Sequence, residues 1–186
     1  MWIIKRNDDA LKHHGIKGQK WGVRNGPPYP LDGKNALFNS PSELSQFMKS
    51  NIKYSEFNKL QSPKETLEKG SGSCHDQVIL ELDQLRKMGY QPKAEFVIAY
   101  NPKTYQGGST HSFVYYQDGD DIVWFENAWG GKEGLHKFKS LNKLENYITN
   151  NFGLNSEYSD ISFSDFNESA HNCGESLQEL VDICVE

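Results

Sequence analysis

"HSFVYYQDGDDIVWFENAW", residues 111–129, decides the fold. Two runs of aromatic and β-branched residues flank Asp118 and Gly119. Such side chains suit a pleated, half-buried strand, and Asp-Gly between them is a strong hairpin signal. The stretch therefore predicts an antiparallel hairpin. With Asp118 and Gly119 as a two-residue turn, paired positions add to 237, and His111 lies opposite Glu126. Phe113 then faces Trp124, and Tyr115 faces Ile122, an apolar face behind the His–Glu pair. A three-residue turn shifts the sum to 238 and puts Asn127 opposite His111. A slip of one residue exchanges the two faces. That alternative face is nearly as apolar, so the preference for the first register rests on Asp-Gly chemistry.

Upstream lies "KGSGSCHDQVILELDQLRKMGY", residues 69–90. Val78, Leu82, Leu85 and Met88 carry the i, i+4, i+7 spacing of an amphipathic helix. Ser73 is placed to cap its start and Gly89 to end it. Cys74 stands just ahead of the apolar pattern, after a Gly/Ser-rich loop. A further helix is predicted over residues 40–52, capped by Ser40 or Ser42, with Leu44, Phe47, Met48 and Ile52 as its stripe. A short helix starts at Ser62 and Pro63, a strand covers 94–100, residues 101–110 form a loop, and a last amphipathic helix runs through "SLNKLENYITNNF". Helices first and then an antiparallel sheet give the α+β class.

The ends differ from this middle. Residues 1–35 are read as a flexible segment. "HHGIKGQKWGVRNGPPYP" has four Gly and three Pro within 18 residues and no sustained period. A folded domain is expected over 36–153. Residues 154–186 read as an acidic tail with a short helix near "ESLQELVDICV". Residues 1–35 carry seven Lys/Arg against three Asp, whereas 154–186 carry eight Asp/Glu and no Lys or Arg.

With a net charge of −5 and only a short basic end, nucleic-acid binding is not expected. No apolar run approaches the roughly 18 residues of a membrane span, and "MWIIKRNDDALKHHG" does not read as a signal peptide. Three cysteines (Cys74, Cys173, Cys184) are too few for a disulfide framework. A reducing cytosol is the simplest compartment.

Cys74 at a helix start meets the needs of a thiol nucleophile. Unpaired N–H groups and the positive end of the helix dipole favour a thiolate and can stabilise an oxyanion. Such a nucleophile needs a base, and the base an orienting partner. His111 at the opening of the first hairpin strand, with Glu126 or Asn127 on the returning strand, supplies both. An isolated cysteine is more often an inert core residue; position and partners favour the nucleophile here. Cys173 and Cys184 lack a partner motif.

The order Cys on a helix start, His on a strand, then an acid or amide on the next strand resembles the transglutaminase-like branch of the papain-like cysteine fold. More narrowly, "GSCHDQVILEL…HSFVYY…WFENAWGG…GLHKF" is similar to a transglutaminase-like group of Gram-positive bacteria and their phages. That group has motifs of the type G-x-C-W-D-Q and H-T-F-x-x-Y…W-F-E-H-x-W. The resemblance covers roughly residues 40–152. It departs at His75, where Trp is expected, and at Asn127, where His is expected. It implies a papain-like fold, N-terminal helices packed on an antiparallel sheet, and a Cys-His-Glu/Asn triad working through a thioacyl intermediate. It also favours Glu126 as the third member. "LKHHGIKGQKWGVR" resembles a motif of phage head and other structural proteins. That implies a phage or prophage protein, cytoplasmic in a bacterial host or virion-associated, with residues 11–24 meeting a virion or host partner.

The function expected is a cysteine peptidase or isopeptidase, with deamidation and transamidation open, acting on a protein or peptide. The alternative is a non-catalytic phage structural or host-defence-binding protein on the same fold. Asp76 and Gln77 in the first helical turn serve either helix-start electrostatics or the site. Tyr54 is a candidate upstream oxyanion donor, and Trp129 a candidate rim of the cleft. His75 beside Cys74 is one close-spaced pair, whereas zinc sites use two, so neither metal nor cofactor is expected.

Overall fold

The computed structural model describes residues 36–56 and 60–166. Among the described residues three helices precede the main sheet, each begun by a serine that accepts a first-turn N–H group. Ser40 caps α1 (Pro41–Asn51), Ser62 caps α2 (Pro63–Lys69) and Ser73 caps α3 (Cys74–Lys87). Both α2 and α3 carry the reciprocal capping box, closed by Glu65 and Asp76. Between them, β1 (Lys53–Tyr54) and β2 (Ser71–Gly72) form a two-residue parallel pair, with Tyr54 opposite Gly72. The Gly/Ser loop expected before Cys74 is thus partly strand.

The main sheet contains β3 (Lys93–Tyr100), β4 (Gly107–Asp118), β5 (Asp121–Glu126), β6 (Gly134–Phe138) and β7 (Asp160–Asp165). Its order is β6-β5-β4-β3-β7, and every pairing is antiparallel. A fourth helix, α4 (Leu141–Asn151), follows β6. The sheet is buried on both faces. One face, with Val114, Tyr116, Val123 and Phe125, packs against α1 to α3 through Leu44, Met48, Val78, Leu82 and Leu85. The other, with Val97, Phe113, Tyr115 and Trp124, packs against Leu144 and Ile148 of α4. This is an α+β fold of the papain-like kind.

The hairpin register differs from the expected one. Val114 faces Phe125, Tyr115 faces Trp124 and Asp118 faces Asp121, so paired positions add to 239. The two turn residues are Gly119 and Asp120. Only Gly119 of these has positive φ (59°), as in a type II′ turn, which takes glycine at its first central position. Gly-Asp therefore replaces Asp-Gly as the turn pair. The facing carboxylates of Asp118 and Asp121 are each matched by a lysine, Lys137 at 3.2 Å and Lys139 at 2.6 Å. Because the slip is two residues, His111, Phe113 and Tyr115 stay on one face with Trp124 and Glu126.

Two boundaries also change. β4 starts at Gly107, so His111 lies inside the strand rather than opening it; pairing with β3 extends back to Gly107 opposite Tyr100. The acidic stretch after residue 153 contributes β7, which pairs with β3 from Glu95–Asp165 to Tyr100–Asp160. Ile161 and Phe163 alternate with Ser162 and Ser164, a period-2 pattern that packs its apolar set onto the α4 face. Phe166, just beyond, is buried against the helical layer. The segment over 1–35, residues 11–24 within it, the short helix near the C-terminus, Cys173 and Cys184 lie outside the described residues.

Leu37 and Phe38 belong to the core, 2% and 4% exposed, and the Leu37 N–H donates to Gln84 Oε1 at 2.7 Å. Removing residues 1–35 is therefore expected to leave the melting temperature nearly unchanged. Removing 1–38 should lower it by at least about 10 °C, since each buried large apolar side chain contributes roughly 2–5 kcal/mol. Thermal denaturation of both truncations checks this. An equal fall in the two would show that the arm packs as part of the domain.

Candidate active site

Cys74 is the first residue of α3, and its surroundings hold that helix start firmly. Asp76 accepts from Ser73 N and Ser73 Oγ at 2.9 and 2.8 Å, and from Gln61 N and Gln61 Nε2 at 2.8 and 3.2 Å. A Cβ on Gly72 would lie 2.9 Å from Asp76 Cβ, so the chain passes here only with glycine. Gln77 Nε2 donates to Gly72 O at 2.9 Å. Asp76 and Gln77 thus brace the loop that presents Cys74, and neither is bonded to His111 among the described residues.

His111 comes from β4 close enough to Cys74 for the thiol to act on its imidazole. On its other side, His111 Nε2 lies 2.8 Å from Glu126 Oε2. With Nε2 engaged, Nδ1 is the ring nitrogen left for the thiol. In this register Glu126 is a diagonal neighbour of His111, still within reach for long side chains. Glu126 is 2% exposed, and its Oε1 accepts from Ala128 N at 2.7 Å and Trp129 N at 2.8 Å. Three hydrogen bonds therefore fix this carboxylate. Trp129 stands edge-on to the imidazole, with centroids 5.5 Å apart, and packs on Phe152. Burial opposes protonation of His111, but the Glu126 carboxylate and the hydrogen bonds from Cys74 and Glu126 outweigh it. The imidazole pKa rises from its ordinary 6.5 to about 10.

Asn127 lies elsewhere. Its Nδ2 donates to Gln77 Oε1 at 2.6 Å and to Ile52 O at 3.4 Å. One residue past Glu126, it falls on the opposite side of the strand and ties β5 to α3 and to the end of α1. Tyr54, 56% exposed, is near enough for the Cys74 charge to act on its phenol. Burial first and Cys74 second raise its pKa, so it stays a protonated donor at neutral pH.

Glu81 is a group the sequence reading passed over. It is 2% exposed on α3, two turns after Cys74. Burial first, and then the Glu126 charge, push its pKa well above the usual carboxylate range. The signal was present: an acid between Val78 and Leu85 on the apolar face of a predicted helix.

Among the described residues no cluster of three or more His, Cys, Asp or Glu is placed to hold a metal ion, and no helix there is long and apolar enough to cross a membrane.

A helix-start cysteine beside a strand histidine, itself held by a buried glutamate, has the layout of the papain-like cysteine fold. Residues 30–129 match the family model described as the transglutaminase-like superfamily, and the chain belongs to that superfamily. Residues 5–28 match a second model, described as a family of unknown function (DUF7211). No curated protein matches the chain. Among solved structures it is similar to a candidate cysteine protease from Cytophaga hutchinsonii, with 16% identity and a TM-score of 0.34. That match covers 69% of this chain and 43% of the other, so the chain spans less than half of that protein's length.

Proposed function

We propose that this chain is a cysteine-dependent acyl-transfer enzyme, acting first of all as a peptidase or isopeptidase on a protein or peptide. The observation that supports this reading is a cysteine at a helix start beside a buried histidine that Glu126 Oε2 meets at 2.8 Å. Cys74 Sγ, its proton already held by the His111 imidazolium, attacks the substrate carbonyl carbon as the thiolate of an ion pair. The carbonyl oxygen becomes an oxyanion, for which the Cys74 N–H at the helix start and the Tyr54 hydroxyl are the nearby donors. His111 then protonates the leaving amine as the C–N bond breaks, leaving a thioester on Cys74. Water attacks the thioester and gives its proton to His111, and the C–S bond breaks to restore the Cys74–His111 ion pair. If the leaving group is ammonia from a glutamine, the same steps amount to deamidation. If an amine replaces water, they amount to transamidation.

The first test is selective alkylation. Iodoacetamide near pH 6 should modify Cys74 at least about tenfold faster than Cys173 or Cys184, and His111→Ala should remove that advantage. Equal, slow modification of all three cysteines in the wild-type chain would argue for a non-catalytic role.

A further inference from the structure

A pocket of ≈ 230 Å³ opens beside this site, lined by Lys49, Lys53, Tyr54, Asn127, Ala128 and Glu133 among others. Its walls are the immediate neighbours of that site. Tyr54 pairs with Gly72, two residues before Cys74. Asn127 is bonded to Gln77, three residues after it. The Ala128 N–H is held by Glu126. The pocket therefore borders the chain segments that carry Cys74 and Glu126. The volume is below the roughly 300–1,000 Å³ of small-molecule sites, which suits a side chain rather than a cofactor.

The charge of the lining gives that side chain a sign. Glu133 is turned to its own loop: its carboxylate accepts from Gly131 N at 3.1 Å. Its pKa is lowered first by its own backbone N–H and by Gly131, and then by Lys49. The one acid of the pocket is thus already satisfied, largely by backbone. Lys53 has no ion pair among the described residues, and the Tyr54 hydroxyl adds a side-chain donor. The lining holds two ammonium groups against one carboxylate, so an entering cation meets a net positive wall, whereas an entering carboxylate meets that wall and a phenol O–H.

We propose that this pocket receives an acidic side chain of the acyl-donor segment, close to the carbonyl that Cys74 attacks. The proposal rests on the acyl-transfer reading and narrows its substrate to acidic peptide sequences.

The test uses the full chain and short peptidyl chloromethyl ketones that differ only in carrying Glu, Gln or Lys at each of the three positions before the reactive group. Cys74 adduct formation is followed by intact-protein and peptide mass spectrometry. At one position the rates should rank Glu above Gln above Lys, with roughly tenfold between Glu and Lys, the size expected for two partly exposed charge contacts. Lys53→Glu should reverse the ranking, and Lys49→Glu should flatten it, each rate being taken relative to the same variant's rate with plain iodoacetamide. Equal rates for Glu and Lys at every position would overturn the pocket assignment and leave the acyl-transfer reading standing. So would a Glu preference unchanged in both variants. If no peptide labels Cys74 faster than a chloromethyl ketone lacking the peptide, the acyl-transfer reading fails and the assignment fails with it.

Discussion

Cys74→Ala should lose at least about 10⁴-fold in turnover while melting within a few degrees of wild type. The thiol is the atom on which every covalent step of the proposed reaction takes place, so no neighbouring group substitutes for it. The structural cost is small. Cys74 is partly exposed at the first position of α3, and the capping and bracing of that helix start come from Ser73, Asp76, Gln61 and Gln77. Alanine is also the best helix former. The measurement is turnover of a trapped or cleaved partner, identified by comparing wild-type and Cys74→Ala chains in cell lysates, beside thermal denaturation of both. A marked fall in melting temperature would make Cys74 a packing residue and remove the main support for the proposed enzyme.

Glu126→Gln should cost about 10²–10⁴-fold in activity, against less than about tenfold for Asn127→Ala. In the proposed reaction Glu126 orients the imidazole through a 2.8 Å bond, and its charge stabilises the His111 imidazolium that keeps the thiol proton. Glutamine keeps the shape but loses the charge and presents an N–H or an oxygen where only an acceptor suits. Asn127 instead joins Gln77 and Ile52, so its loss should reach stability, by about 1 kcal/mol, before it reaches chemistry. Stability against pH gives a second readout. The folded-state pKa of His111 is raised, so its contribution is complete below about pH 6.5 and disappears as pH rises through about 10. Glu126→Gln should therefore destabilise more at pH 6 than at pH 10.5. The opposite activity ranking of the two variants would give the orienting role to Asn127.

Much of the fold was readable from local patterns. Serine caps, capping boxes and i, i+4 apolar spacing marked α1, α2 and α3, and alternating aromatic and β-branched residues marked β4 and β5. Such signals lie within a few residues of the element that they specify, so no distant partner is needed to read them. β7 escaped notice because the acidic composition around it hid a four-residue alternation whose value depends on an open edge of β3. Such an edge exists only after the sheet has assembled.

The candidate site divides along the same line. Cys74 at a helix start, His111 on a strand and an acid or amide on the returning strand all follow from the order of residues. Which of Glu126 and Asn127 meets His111 does not. Adjacent strand residues point to opposite faces, so the choice is one of parity, and parity depends on how the strands register. The turn moved by one position, from Asp118–Gly119 to Gly119–Asp120, and the pairing sum therefore moved by two, from 237 to 239. Parity survived the error, and Glu126 stayed on the His111 face as a diagonal rather than direct neighbour. Tertiary packing fixed the parity, which both registers share, because it buries Phe113, Tyr115 and Trp124 under α4 and Val114, Val123 and Phe125 under α1 to α3 at the same time. A two-residue turn contributes too little energy, on its own, to outweigh two apolar faces.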